Sequence, residues 1–325
     1  MNINTIVLVS AIALAVAVPF TLSPANASEV GIAASNPGSI YHTTATAVAK
    51  MVNDKAGLQA TVHPFASATI YLPAVSAGEY SFGITNEDEL KLAYTGTGHF
   101  DGRVYSDLRA VSLLYPLRVA FFVRKDSDIE TVADLKGKRV TTGFTSQKTI
   151  PAMLDAILAT AGLTQDDVRR IPVPNVVGSA NAFMEGKADA FFFAIGSPKV
   201  SEADAKVGGI RALNVPDTPE NLATLRKHFA PAYLRPEKPS KPNVGVLGPM
   251  HVMSYDAVLV ASTKTPDDVV YTMAKSMYEN KKAMASIFPV MNLFDQQRMA
   301  KDLGPVKWHD GAIRLMKEVN IWRGN

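Results

Sequence analysis

Beyond Ser28 the apolar positions fall into two alternating patterns: short continuous runs of strand length, and longer stretches spaced by three or four residues. Glu29 to Ala34 is a run of the first kind, and Ser35-Asn36-Pro37-Gly38-Ser39 after it is turn chemistry. Tyr41 to Lys55 then places Ala45, Val48, Ala49 and Val52 at helical spacing, with Gly57 as the stop. Leu58 to Phe65 predicts a second strand, and a helix through Leu72, Val75 and Ser76 ends at Gly78. Tyr80 to Thr85 predicts a third strand, with a helix over Glu87 to Tyr94. The order β-α-β-α-β-α predicts a parallel sheet covered by helices.

Leu108 to Arg124 departs from this rhythm as a long β-rich run interrupted by Pro116. Proline is poorly tolerated inside a central strand, so the run reads as two strands joined by a segment crossing between domains. A second α/β pattern follows. It has a short helix over Ile129 to Leu135, a strand within Gly137 to Gly143 and a helix over Ser146 to Ala161 closed by Gly162. Val173, Ala190 to Ala194 and Arg211 to Val215 supply further strand candidates. The proline-rich stretch from Pro231 to Pro249 reads as a long irregular connection. His251 to Ser262 is β-rich and crosses back, and the remainder from Pro266 is mainly helical. The expected organisation is two α/β domains, 28–118 plus 253–325 and 119–252. They are joined by a two-segment hinge with a ligand cleft between them.

Composition narrows the function. With 47% hydrophobic and 19% charged residues, the chain has ample apolar surface to bury a core. A net charge of +3 over 325 residues, without a block of five basic residues, gives no nucleic-acid surface. Zero cysteines exclude thiol nucleophiles, disulfides, Cys-ligated zinc and iron–sulfur clusters. At the N-terminus, the apolar run from Ile6 to Phe20 is followed by Ala25-Asn26-Ala27, an A-x-A cleavage pattern. Residues 1–27 therefore read as a signal peptide for export to the periplasm, with an uncleaved anchor as the alternative because the first five residues carry no Lys or Arg. After cleavage no stable membrane insertion is expected.

No nucleophile elbow, P-loop or zincin motif occurs, and the six histidines include no i, i+4 pair, so no catalytic residue, cofactor or metal is expected. His42 stands at a helix N-terminus, the one histidine with a claim on a ligand. The stronger signals are polar loops just ahead of helices, where unpaired N–H groups favour anions. Ser35 to Tyr41, Ser67 to Thr69 and Thr141 to Lys148 are three such loops, all at carboxyl ends of predicted strands, where open α/β sheets bind ligands. Each alone is equally an ordinary capping sequence. An anionic ligand would also need a charge-assisted partner, and Arg118, beside the Pro116 break, is favoured over Arg124.

Several segments together resemble the TAXI-type solute receptors of TRAP transporters, a branch of the type II periplasmic binding-protein superfamily. They include GSIYHTTATAVAKMVN, FASAT, GEYSFGITNEDELKLAYTGTGHFDG, the long run around Leu114-Tyr115-Pro116, FMEGKADAFFFAIGSP and GPVKWHDGAIRLMKE. SDIETVADLKGKRV identifies only the superfamily. The resemblance implies a two-lobed α/β receptor that captures a small organic anion, dicarboxylate or amino-acid in type, and delivers it to TRAP transporter membrane subunits. The residues it carries over are Ser39 and Tyr41, Ser67 and Thr69, Asn86 and Glu87, Tyr115, Thr142, Thr145, Ser146 and Gln147, and Phe193 and Ser197. Two loops depart from the family pattern: Tyr41-His42-Thr43-Thr44 and Thr145-Ser146-Gln147-Lys148 lack its glycines and put side-chain donors in place of close backbone approach. The alternative readings are an enzyme of small-molecule metabolism, a sensory ligand-binding protein or a surface interaction protein built on the same fold.

Overall fold

The computed structural model describes residues 29–324; the expected signal peptide lies outside the described residues. Three strands open the chain: β1 (Glu29–Ala34), β2 (Gln59–Pro64) and β3 (Phe82–Asn86), all parallel. Helices α1 (Ile40–Lys55), α2 (Ala68–Ala77) and α3 (Glu87–Thr95) follow them in turn. All five residues of β3 are buried, as expected for a strand covered on both faces.

β4 (Leu108–Arg124) is a single strand of 17 residues, not two. The second set of elements comprises β5 (Arg139–Thr142), α4 (Ile150–Ala159), β6 (Arg169–Pro172), α5 (Val176–Met184) and β7 (Ala190–Ala194). It continues with α6 (Pro198–Val207), β8 (Ile210–Ala212) and α7 (Pro219–His228). β9 (Tyr233–Glu237), β10 (Met250–Ser262), α8 (Asp267–Glu279), α9 (Lys281–Ile287) and α10 (Asp310–Glu318) complete the chain. The strands form one continuous sheet in the order β2-β1-β3-β10-β4-β7-β5-β6, with β8 against β4 and β9 against β10.

Only β4 and β10 belong to both halves of this sheet. They pair antiparallel from Leu108↔Ser262 to Val119↔Met253. One end of β10 borders β3 through 257–261, and the other borders β9 through 250–254; β4 continues into β7 through Val119–Val123. Pro116 sits opposite Asp256 next to an irregularity: three steps along β4, Leu113 to Pro116, face two along β10, Val258 to Asp256. The ladder is already interrupted there, so the missing proline N–H removes no regular pairing and the strand runs through.

Three further expectations change. The segment from Ile129 to Leu135 holds only a 3₁₀ turn at Ala133–Leu135. The proline-rich connection contains β9, a strand at the edge of β10. α4 begins at Ile150 rather than Ser146, because Gly143 and Phe144 both take positive φ (82° and 33°) and turn the chain before a helix starts. Phe144 is held in that costly conformation by full burial and an edge contact with Phe192.

The core of the second half is aromatic: Phe121 meets Phe192 edge-on at 5.9 Å and Phe122 stacks on Phe191 at 5.2 Å, across the β4–β7 pair. Such pairs add about 0.5–1.5 kcal/mol each beyond their area. The first half is closed by the C-terminal segment. Buried His309 caps α10 by accepting the Gly311 amide on Nδ1, and its Nε2 lies 3.1 Å from the Ser262 and Thr265 carbonyls at the end of β10. Its own amide donates to Ala110 of β4.

Gly311 lets α10 approach α8 to backbone contact; a Cβ there would collide with the Asp267 carbonyl and lie 3.0 Å from the Tyr271 amide nitrogen. Gly311→Ala is expected to destabilise the protein by about 1–3 kcal/mol through forced separation of the two helices. A denaturant midpoint equal to that of the parent would contradict this packing.

Candidate functional site

The cleft between the two halves of the sheet holds a cavity of about 600 Å³, its open mouth included. Its walls follow from the topology. A parallel strand delivers the chain at its carboxyl end, and the next helix begins there with its amino end turned the same way. The β1–α1 loop and the first turn of α1 bring Ser35, Ser39 and Tyr41, the β2–α2 loop and the first turn of α2 bring Ser67 and Thr69, and the end of β3 with the first turn of α3 brings Asn86 and Glu89. The opposite wall comes from the second half: Gln147, Thr149, Ile150 and Met153 at the start of α4, Val176 at the start of α5, and Phe192 to Ala194 of β7. Leu117, Val119 and Tyr255, on β4 and β10, line the remaining side.

The polar groups in this cavity are unevenly satisfied. Ser39 caps α1 by accepting the His42 amide at 3.2 Å, and Asn86 caps α3 by accepting the Glu89 amide at 2.8 Å. Ser67 occupies the cap position of α2 in extended backbone, yet its hydroxyl accepts no cap bond. The hydroxyls of Ser35, Tyr41 and Ser67 are buried and make no hydrogen bond; Ser35 lies near Tyr71 and Tyr41 near Asn86 without hydrogen-bond geometry. An unmet buried polar group costs about 1–3 kcal/mol, so three on one cavity wall are a charge against stability that a bound polar group removes. Burial holds the Tyr41 phenol far above its ordinary pKa, with Tyr255 and Tyr115 adding to the shift, so it remains a neutral donor.

Among the described residues lining the cavity there is no lysine, arginine or histidine, and Glu89 is the one ionisable carboxylate. Its Oε1 accepts from the Thr69 hydroxyl at 2.7 Å and lies 3.0 Å from His99 Nε2. Next to it, Asp88 is pushed up to about 6, first by burial and then by the Glu89 charge. The helix amino ends therefore supply the cavity's positive potential, while the first turn of α3 carries negative charge.

The family model for the NMT1-like family matches residues 32–319. The chain belongs to the NMT1-like family. Among solved structures, the NMT1-like chain superposes on PhnD1 from Prochlorococcus marinus in complex with methylphosphonate with a TM-score of 0.53 at 11% identity. That match covers 90% of this chain and 99% of PhnD1. The alkanesulfonate-binding protein SsuA from Xanthomonas axonopodis pv. citri, bound to MOPS, gives 0.50 at 15% identity, covering 91% of this chain and 92% of SsuA. The NMT1-like chain thus has the two-domain α/β fold of periplasmic binding proteins. Among the described residues no helix is long and apolar enough to cross a membrane.

Seven of the residues expected at a ligand converge on the cavity: Ser39, Tyr41, Ser67, Thr69, Asn86, Gln147 and Phe193. The others lie elsewhere, each for a visible reason. Arg118 is buried away from the cavity, its guanidinium donating to Glu237 at 2.8 Å, Asn243 at 2.9 Å and the Ile195 carbonyl at 3.3 Å. Tyr115 shares a 2.6 Å hydrogen bond with Thr44 behind α1. Glu87 faces Lys301 at 2.9 Å and accepts the Asp256 amide, tying α3 to β10 beside the Pro116 irregularity. Ser197 donates to the Ala194 carbonyl, and Thr142 is buried under the loop that follows β5. Thr145 is exposed and Ser146 partly so; the amides of Thr145, Ser146 and Gln147 bond to Val173, Pro174 and Phe144 and are not free for a carboxylate. Gln147 faces the cavity while its Oε1 accepts the Val176 amide, so the side chain also caps α5. His42 and Lys148 do not line the cavity, and Arg124 pairs with Asp126 at the far end of β4.

Sequence reasoning named Ser35 only as the start of the Ser35–Tyr41 loop and missed Glu89, the α4 residues Ile150 and Met153, and Tyr255. Ser35 directly follows β1 and was legible as a loop residue; Tyr255 was reachable only through its register opposite Leu117.

Arg118 and Glu237 form a buried ion pair at 2.8 Å, both side chains nearly inaccessible. Arg118→Met leaves the Glu237 carboxylate to Arg235 at 3.1 Å and Asn243 at 2.9 Å and is expected to cost about 1–3 kcal/mol of stability. The double variant Arg118→Met/Glu237→Leu should recover most of that loss, by chemical denaturation. Loss of ligand affinity in Arg118→Met without loss of stability would return Arg118 to the binding site.

Proposed function

We propose that this chain is a periplasmic solute receptor that captures a small organic acid in the cleft and delivers it to the membrane subunits of a transporter. The observation that carries the reading is the set of three buried, unpartnered hydroxyls, Ser35, Tyr41 and Ser67, inside a cavity at the amino ends of α1 and α2. Helix amino ends and hydroxyls together form a neutral anion site. The fold supports the reading, since the superposed proteins are a phosphonate complex and a sulfonate-binding protein by name. The expected signal peptide supports export.

On this reading the lobes are residues 28–118 plus 253–325 and residues 119–252, and β4 and β10 are the hinge. The two sides already touch across the cleft, where the Lys199 amide of α6 donates to the Gly38 carbonyl ahead of α1 at 3.3 Å. Ligand capture then consists of closing two rigid halves by bending two strands at the Pro116–Asp256 irregularity. The resemblance of the sequence to TAXI-type receptors makes a TRAP transporter the proposed destination.

The hydroxyls give a test that separates binding from capping. Tyr41→Phe and Ser67→Ala each remove a group that holds nothing in the free protein. Neither is expected to lower the melting temperature without ligand. Each should weaken the best-binding acid from a thermal-shift screen by about three- to tenfold in Kd, the worth of one hydrogen bond. Unchanged Kd in both variants, or a fall in free-protein stability with no change in Kd, would remove these hydroxyls from the site.

A further inference from the structure

Resting on the receptor reading, we infer that the cavity selects acids with a single anionic headgroup and an uncharged apolar body and rejects diacids, in place of the dicarboxylate or amino-acid type that the TAXI resemblance implies. The cavity has one end fit for an anion and none fit for a second. At the first end the free hydroxyls of Ser35, Tyr41 and Ser67 stand beside the first turns of α1 and α2, whose leading N–H groups have no intrahelical acceptor. These are sixteen- and ten-residue helices, long enough for a full amino-terminal potential.

Two features exclude a second carboxylate. The facing wall is mainly apolar, with Ile150, Met153, Val176 and Phe192 beside Leu117 and Val119 of the crossing strand; its two polar side chains are Thr149 and Gln147, whose Oε1 is held by the Val176 amide. No lysine, arginine or histidine among the described lining residues balances a further charge, and the arginine near the hinge is committed to Glu237. A carboxylate pressed against that wall is an unpaired buried charge. At the polar end the Glu89 carboxylate is itself part of the wall, and its charge already raises the pKa of Asp88. A second anionic group there meets like charge. An apolar body instead buries its surface against the α4 and β7 side chains and gains the ordinary hydrophobic return.

The headgroup chemistry, one negative charge spread over two or three oxygens, is shared by carboxylates and sulfonates, and matched probes separate them. The experiment is thermal shift followed by calorimetric titration of the purified protein. The matched pairs are hexanoate against adipate and 4-methylbenzoate against terephthalate, with 4-toluenesulfonate as the sulfonate arm. The expected result is a clear melting shift with the monoanions and a Kd at least tenfold weaker for each diacid. Which of 4-methylbenzoate and 4-toluenesulfonate binds more tightly fixes the headgroup. In Glu89→Gln the discrimination against diacids should narrow severalfold. Met153→Lys, which offers a cation on the apolar wall, should reverse it. Diacids binding as tightly as their monoanion partners in the parent protein would overturn the single-headgroup inference and leave the receptor reading intact. Binding of neither class would bring down the receptor reading for organic acids, and the inference with it. Should Met153→Lys fail to fold, the Glu89→Gln selectivity still decides, because an unchanged ratio contradicts the role given to Glu89.

Discussion

A parallel strand–helix unit leaves no freedom about where its unpaired amides go. The strand runs out at its carboxyl end, the chain turns, and the helix starts there with its first N–H groups unbonded. In this chain the consequence occurs on both sides of a cleft, after β1, β2 and β3 on one side and at α4 and α5 on the other. Everything else about the site is an answer to that arrangement. Some amino-end amides are taken by their own caps, as Ser39 takes one of α1, Asn86 one of α3 and Asn175 one of α5. Others are left open beside hydroxyls that bond nothing.

The charged residues were placed to keep that cleft free of cations. Arg118 lies on the strand that lines the cavity, directly between the wall residues Leu117 and Val119, yet its side chain leaves on the other face to meet Glu237 and Asn243. Alternation along a strand makes this unavoidable, since neighbours of an inward residue point outward. The pair then serves the hinge region, fixing the segment after β9 to β4. Glu87 is used in the same way on the first side, with Lys301 and Asp256. Tyr233 donates to the same Asp256 at 2.8 Å, so this carboxylate on β10 is bonded from β9 as well as from the C-terminal segment. Two ionic clusters thus flank the crossing strands, and neither faces the cavity.

Much of the fold was legible in the sequence because hydrophobic periodicity is a local signal. β1, α1, β3, α3 and β7 lie within a residue or two of where the apolar pattern puts them. What the pattern could not carry was non-local. Pro116 breaks a strand by local rules, and only the register against Asp256 shows why it does not. The start of α4 was misplaced because Phe144 adopts positive φ, a cost met by packing against Phe192, 48 residues on. The same division runs through the site. Turn chemistry pointed to Ser39 and Ser67 ahead of α1 and α2 and to Tyr41 and Thr69 in their first turns, all four of which line the cavity, whereas Arg118 was misdirected, since sequence gives its neighbours and not the face it takes.

The account's central claim is that the amino ends of α1 and α2, with the hydroxyls beside them, grip the headgroup of one small acid in the cleft. Hydrogen–deuterium exchange on the protein with and without a stabilising acid tests this most directly. The account predicts slowed exchange at the first-turn amides of α1 and α2, with β4 and β10 protected in both states by their sheet pairing. Slowed exchange away from these two helix ends, or at neither of them, would contradict it.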